Sequence, residues 1–423
     1  MSVTVVGGGL AGAIAGLSAA RHRDVDVQVL TAGETSLEGA SGLVDVLGYT
    51  PDGEGPLADP FEAIPRLPAE HPYRTVGVEA VREGLALFDD VAGEAYAGGG
   101  DDRNALVPTY LGHLKPTARY PATVAPGVAS REQRTTLVGF EELTEFDAAL
   151  AADRLDETLP YEVWGTAVGL PVDLEGVPET TDLATALDDA HDRDDTREVF
   201  ERFHDELSRD ILMHDDTDRR IGLPAVLGFE ATERLRAELA ATVESPVFEV
   251  PTGPPSVPGR RLERRLQGAL EAADVDLLTG HRVRGAETVD GDIAALTVET
   301  PDGERRMETE AVVLATGGLV GGGVEGGREA VREPVFGCHV PAPEDRSAWA
   351  AKAALGDHPF ARFGVETDDG LRPLDRRGTP EFANLRAAGS VLGGYDFAAE
   401  KSGSGVSIAT GYVAGRLAAE DAV

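Results

Sequence analysis

The feature that most constrains this chain is a set of three glycine-rich stretches lying near its two ends. They are Val3-Thr-Val-Val-Gly7-Gly8-Gly9-Leu-Ala-Gly12, Val312-Val-Leu-Ala-Thr316-Gly317-Gly318 and Asn384-Leu-Arg-Ala-Ala-Gly389-Ser-Val-Leu-Gly393-Gly394. In the first, a β-branched run meets Gly-x-Gly-x-x-Gly and then a small-residue apolar segment. A strand that enters a helix through glycines lets bare backbone N–H groups approach a phosphate, which the helix N-terminus also attracts. A strand running into Ala-Thr-Gly-Gly about 300 residues later, and a third glycine turn beyond it, point to a nucleotide fold assembled from both chain ends. A nicotinamide dehydrogenase rarely returns to its nucleotide this way, so the pattern points to a flavin. The glycines named, with Thr316, are the candidate cofactor-binding residues.

The spacing predicts a strand over 2–6, a helix over 10–21 and a strand over 25–30. A full dinucleotide site usually has an acidic residue ending the second strand, where it binds a ribose hydroxyl. Here the strand ends in Leu30-Thr31, and Glu34 falls in the following loop, which leaves FMN open. The expected fold class is α/β: a Rossmann-like flavin-binding domain from residues 1–48 plus 250–423, interrupted by an α+β domain over 49–249. That insert would serve as a substrate domain, a cap or a subunit interface. Within it, helices are expected over 78–91, 141–151 and 196–213, and strands over 136–140 and 221–229. Residues 98–104 read as a flexible acidic turn. Beyond it come a helix over 262–273, a strand over 275–278 and a hairpin of 294–299 with 305–308 around Pro301-Asp-Gly303. A strand over 311–315 and a last helix over 406–420 complete the reading.

Acidic residues number 75 against 38 basic ones, a net charge of −37. The only lysines are Lys115, Lys352 and Lys401. Self-repulsion on this scale opposes compaction at low ionic strength, whereas molar salt shortens the screening length to about 3 Å. The balance suits a salt-accumulating cytoplasm; an acidic docking surface for a basic partner is the other reading. Nucleic acid is not an expected partner, because phosphate neutralisation needs a basic face. Cys338 is the single cysteine, so an iron–sulfur cluster on this chain is not expected. No apolar run approaches the roughly 20 residues of a membrane span, and the first strand begins too early for a targeting segment, so a cytoplasmic location is expected.

Several segments together resemble one family, the B subunits of anaerobic glycerol-3-phosphate dehydrogenase, in a version suited to a halophilic archaeon. They are Gly7–Gly12, Ser41-Gly-Leu-Val-Asp-Val-Leu47 with Pro51-Asp-Gly53, and His71-Pro-Tyr73. The later ones are Pro251-Thr-Gly-Pro-Pro-Ser-Val257 with Gly259, Arg332-Glu-Pro334, and Leu371-Arg-Pro373 with Gly389–Gly394. Residues 95–245 resemble the family only loosely, and the two ends are similar to the fumarate reductase and succinate dehydrogenase flavoprotein class. The resemblance implies a flavoprotein working beside a larger FAD-containing catalytic subunit and a membrane-associated iron–sulfur subunit. Such a complex oxidises sn-glycerol 3-phosphate to dihydroxyacetone phosphate and passes electrons to the quinone pool at the inner face of the membrane. The family is associated with FMN, whereas the triple glycine looks more like FAD; FMN is placed slightly ahead.

Oxidising a secondary alcohol with a flavin needs a base for the hydroxyl proton, a C2 hydride facing the ring, and positive charge for the phosphate and the reduced flavin. Ser402, Gly403, Ser404 and Gly405 lead into the last helix, whose amides would meet the flavin's growing negative charge. Ser41 and Gly42 resemble the loop lying against the isoalloxazine ring in related flavoproteins. Arg260, Arg261, Arg332 and Arg372 are the candidates for the substrate phosphate. His71 and His339 are the candidate bases, each also readable as a structural histidine. No metal-ligand spacing and no Gly-x-Ser-x-Gly is present. Beside the catalytic reading stands an electron-transfer or assembly subunit that never touches substrate. Another FAD-dependent oxidoreductase of the fumarate reductase-like class is a further alternative, and hydride transfer to NAD is the last.

Overall fold

A computed structural model describes the chain apart from residues 23, 34, 99–101, 212–218, 329 and 355 and the side chains of 210 and 211. Glu34, Leu212, Met213 and part of the expected turn over 98–104 lie outside the described residues. Contacts divide the chain into two compact units: residues 1–36, 45–92 and 265–423, and residues 37–44 and 93–264.

In the first unit five strands form one parallel sheet. Its order is Asp276–Thr279, Asp26–Thr31, Ser2–Val6, Ala311–Leu314 and Leu385–Ala387. The middle strand, Ser2–Val6, pairs Val5 with Val29 on one side and with Val313 on the other. Val5, Val29 and Val313 are all fully buried, as expected of a parallel sheet covered on both faces. The helix Leu10–Ala19 packs against the last helix, Gly403–Ala422, almost backbone to backbone. A Cβ on Gly415 would lie 2.1 Å from the Ala15 carbonyl oxygen, and Ser18 Oγ donates to the Tyr412 carbonyl at 2.7 Å. Small residues on facing turns permit this approach, which explains why both helices are buried nearly all round. The expected helix over 78–91 is the body of a longer element, Pro72–Ala92, kinked at Gly77. Its Gly84 lies against Ile408 and Ala409 of the last helix, and this packing groups residues 49–92 with the nucleotide sheet.

The hairpin around Pro301-Asp-Gly303 forms, and Arg282–Val289 adds a third antiparallel strand to it. Asn384 ties this meander to the main sheet. Its Oδ1 accepts from the Ile293 amide at 2.9 Å, while Nδ2 donates to the Ile293 and Glu310 carbonyls at 2.8 and 2.7 Å.

The second unit is built on a four-stranded parallel sheet ordered Val247–Val250, Arg219–Pro224, Arg134–Phe140 and Val163–Val168. Alternate residues serve opposite faces. Val138, Ile221 and Val247 join a core with Leu183, Phe203 and Leu235, whereas Leu137, Phe248 and Val250 pack with Ala151 and Leu155. Helices therefore interleave with this sheet, and the antiparallel part of the block is limited to two short ribbons. Two expected boundaries move. The helix expected over 141–151 begins at Ala148, because the Asp147 carboxylate caps it by accepting from the Leu150 amide at 2.9 Å. The strand expected over 221–229 runs Arg219–Pro224; the Leu227 amide turns instead to Glu249 Oε1 at 2.8 Å.

Candidate cofactor site

The three glycine stretches meet in the first unit through backbone hydrogen bonds. The Ala315 amide donates to the Val6 carbonyl at 2.8 Å, and the Ala388 amide to the Leu314 carbonyl at 2.9 Å. The Gly318 amide donates to Ser390 Oγ at 3.1 Å, and the Gly389 amide to Thr410 Oγ1 at 2.9 Å. The first turn is compressed. Gly7 has φ of 119°, and a Cβ there would lie 2.2 Å from the Ala315 carbonyl oxygen. A Cβ on Gly12 would lie 1.8 Å from the Gly7 oxygen, so the helix can sit directly on the turn only without a side chain.

Gly9 is different. It precedes the helix Leu10–Ala19, and a Cβ there would meet nothing nearer than Ser36 Oγ, 3.8 Å away. Its lack of a side chain answers no need of the protein's own packing and fits a phosphate brought against a helix N-terminus. Thr316 Oγ1 in the second stretch is buried without a hydrogen-bond partner, which a polar cofactor group would supply. These two observations fit a flavin nucleotide. In the third stretch, the Gly393 and Gly394 amides are spent on the Val365 and Arg362 carbonyls at 3.0 and 3.1 Å, so their part is to shape the turn.

The start of the last helix is stitched to the loop at Asp45. The Asp45 amide donates to Ser404 Oγ at 2.8 Å, and the Gly405 amide donates to the Asp45 carbonyl at 2.7 Å. Just upstream, the Glu400 carboxylate meets His71 Nε2 at 3.0 Å, with both side chains sealed from solvent. His71 Nδ1 accepts the Tyr73 amide at 3.0 Å. A nitrogen accepting an N–H carries a lone pair, so the proton sits on Nε2 and points at Glu400. Both ring nitrogens are thus engaged, and His71 is buried as a structural histidine rather than poised as a base. Tyr73 stacks on it and Tyr395 meets it edge-on. Burial, then the neighbouring Tyr395, Asp45 and Glu400, push the Tyr73 hydroxyl well above its ordinary pKa.

His339 is half-buried, and its backbone bridges Arg332 across an antiparallel pair. One candidate base and one phosphate candidate are thereby adjacent. The His339 amide donates to Glu381 Oε1 at 2.7 Å, and the Glu381 amide to the Pro373 carbonyl at 2.9 Å, next to Arg372. Arg332 is exposed and paired with Glu325 at 3.1 Å; Arg372 is paired with Asp368 at 2.6 Å. Beside them Cys338 is buried, and burial pushes its thiol far above the ordinary value.

Ser41, Gly42, Arg260 and Arg261 belong to the second unit. The Gly42 carbonyl accepts from the Tyr96 hydroxyl at 2.8 Å, and the Ser41 hydroxyl accepts weakly from the Leu43 amide. Arg261 grips the fully buried Glu249 with both arms, at 2.6 and 3.0 Å, and donates through Nε to the Gly228 carbonyl. Its fork is filled, which makes it a structural arginine and not a phosphate ligand. Arg260 lies 3.9 Å from Glu38, and its Nε has no partner. Ser390, Thr410 and Glu400 were not singled out from the sequence. Ser390 could have been flagged by its place inside the third glycine stretch, directly after Gly389; nothing in the sequence marks the other two.

Among the described residues no helix is long and apolar enough to cross a membrane, and no group of three His, Cys, Asp or Glu side chains is placed to hold a metal ion. A family model described as an FAD binding domain matches residues 2–406. The probable B subunit of the anaerobic glycerol-3-phosphate dehydrogenase of Halobacterium salinarum is 49% identical over 426 residues, 99% of this chain and 97% of that protein. The B subunit of the anaerobic glycerol-3-phosphate dehydrogenase of Yersinia pseudotuberculosis is 30% identical over 434 residues, 100% of this chain and 99% of that protein. Among solved structures, an E. coli quinol fumarate reductase chain aligns at 11% identity and a TM-score of 0.41, covering 100% of this chain and 70% of its own. The chain belongs to the family of anaerobic glycerol-3-phosphate dehydrogenase B subunits, built on an FAD-binding domain.

Proposed function

We propose that this chain is the flavin-bearing subunit of a quinone-linked dehydrogenase that oxidises sn-glycerol 3-phosphate to dihydroxyacetone phosphate. Electrons would leave through a membrane-associated iron–sulfur subunit, with a larger FAD-containing subunit in the same cytoplasmic complex. The observation that carries this reading is the pair formed by the open Gly9 and the unpartnered Thr316 Oγ1 where the glycine stretches meet. When bound, the flavin supplies a two-electron acceptor for the C2 hydride. The family description favours FAD over the FMN suggested by Thr31 at the end of the second strand.

In this reading Gly9 and the N-terminus of the helix Leu10–Ala19 hold the cofactor's phosphate, and Thr316 holds a polar group of the nucleotide. The start of the last helix faces the ring's negative edge. His339 takes the hydroxyl proton, and Arg332 and Arg372 hold the substrate phosphate. His71 and Arg261 drop out, because each is already fully engaged.

A second reading has the chain passing electrons from the larger subunit without touching substrate. The burial of His71 favours it, since one of the two candidate bases is thereby removed. The experiment that separates the readings is anaerobic addition of glycerol 3-phosphate to the flavin-loaded chain in concentrated potassium chloride. Bleaching of the visible flavin band supports catalysis on this chain; an unmoved spectrum with intact flavin supports the relay.

A further inference from the structure

The motif His71-Pro-Tyr73 and the turn before the last helix are far apart in sequence, yet they form one buried knot in the first unit. Lys401 stands in the left-handed region at φ 52°, where a side chain is disfavoured. Such a turn persists only when its surroundings over-determine it, and Glu400, the residue before it, is held at several points, among them a hydrogen bond from Ser402 Oγ to its Oε2 at 3.3 Å. Its Oε2 meets His71 Nε2 at 3.0 Å, and its Oε1 accepts from the Asp396 amide at 2.9 Å. Its carbonyl accepts from the amides of Gly48 and Tyr49 at 2.8 and 3.0 Å. His71 is in turn oriented by the Tyr73 amide and by stacking on the Tyr73 ring. On the far side of Lys401, Ser402 and the first turn of the last helix begin at once. The direction in which those first amides point is therefore set by the strained turn, held by the Glu400 clamp, together with the Asp45 stitch to Ser404 and Gly405.

We propose that His71 and Glu400 are positioning residues that aim the amides at the start of the last helix toward the negative edge of the bound flavin. They touch neither substrate nor ring. This rests on the flavin reading above and adds to it a mechanism by which a buried side-chain pair sets the cofactor's potential. A helix N-terminus held in place stabilises the reduced, negatively charged ring; one that wanders does so less.

The test uses the full flavin-loaded chain in concentrated potassium chloride, with His71→Phe, His71→Gln and Glu400→Gln. Phenylalanine keeps a ring against Tyr73 and removes both nitrogens; glutamine keeps one donor for Glu400. In His71→Phe, amide exchange of segment 401–406 rises about tenfold, and the two-electron midpoint potential falls by roughly 30 mV, a tenfold change in that equilibrium. His71→Gln recovers most of both. A purely structural role would lower the melting temperature without moving the potential of the still-folded protein, and that result overturns the proposal. Unchanged exchange in 401–406 overturns it as well. Where His71→Phe does not fold, Glu400→Gln is read against the same outcomes. A colourless wild-type chain is the failure of the flavin reading itself, whereas a yellow one whose potential ignores all three variants is the failure of this inference alone.

Discussion

A Cβ on Gly12 would lie 1.8 Å from the carbonyl oxygen of Gly7, so the helix after the first glycine turn rests on the turn's own backbone. Gly9, between them, would meet only an ordinary contact, Ser36 Oγ at 3.8 Å, if it carried a Cβ. The two glycines therefore have different reasons to lack a side chain, and substitution separates them. Gly12→Ala must push the helix off the sheet, an overpacking cost of about 1–3 kcal/mol or more, and lowers thermal stability with or without flavin. Gly9→Val leaves the apoprotein's melting temperature within a degree or so but puts a branched side chain in the phosphate's path. A clash of about 2–3 kcal/mol weakens flavin affinity roughly a hundredfold. Fluorescence titration with FAD and calorimetry of the apoprotein check the pair of outcomes.

Arg261 and Glu249 make the second prediction. Burial alone would raise the Glu249 carboxyl, but the Arg261 guanidinium, with hydrogen bonds from Thr123 and the Leu227 amide, outweighs it and holds the group below its ordinary value. A carboxyl depressed in the folded state stabilises the fold above its unfolded pKa. That contribution is lost as pH falls through the lower folded value. Arg261→Met leaves a buried carboxylate alone and costs about 3–5 kcal/mol near neutral pH. With the arginine gone, burial raises the carboxyl, so the variant's loss begins to shrink as pH falls through that raised value and goes on shrinking until the wild type's own depressed carboxyl is protonated. Denaturant titrations at neutral and acid pH, in constant potassium chloride, give both numbers.

His339 is the base under the catalytic reading, with Arg332 across the bridge from it. His339→Gln is expected to lower kcat by about a hundredfold to ten-thousandfold, the usual range for a lost general base. KM for glycerol 3-phosphate should change little. Arg332→Ala should show the opposite split, a raised KM with a smaller effect on kcat. Steady-state rates with a dye acceptor measure both. If neither variant moves either constant, substrate binds on another subunit.

The net charge of −37 makes a prediction about solvent rather than about a residue. Screening lengths grow from about 3 Å at 1 M salt to about 10 Å at 0.1 M. Exposed ion pairs such as Arg306 with Glu287 and Glu308 cannot offset that much uncancelled charge. Dialysis from molar potassium chloride to low salt should unfold the chain, followed by far-ultraviolet circular dichroism; an unchanged spectrum contradicts the halophilic reading.

The parts of this structure that were legible in the sequence are those written locally. The strand Ser2–Val6 and the helix after it could be read because a β-branched run meets glycines at fixed spacing. The hairpin could be read because Pro301-Asp-Gly303 divides two strand-like runs. Its third strand, Arg282–Val289, was not expected, since its mostly exposed residues carry no apolar alternation. The helix start at Ala148 was missed because Asp147 reads as one more acidic residue until its carboxylate is seen as a cap. Roles decided by distant partners were the least visible. His71 looked like a base because Glu400, 329 residues away, cannot be paired with it by inspection. Arg261 looked available for the same reason: the buried strand that carries Glu249 shows no sign that it holds a charge. That the glycine stretches come together was legible, because what they share is an absence of side chains, which a sequence states directly.

Whether these stretches close on a flavin is read from the flavin content of the freshly purified chain in concentrated potassium chloride. Absorbance against protein concentration, repeated after reconstitution with FAD and with FMN, gives the stoichiometry. The expected result is a yellow protein carrying close to one flavin per chain, and a Gly9→Val variant that purifies with much less flavin. A wild-type chain that stays colourless with either nucleotide contradicts it.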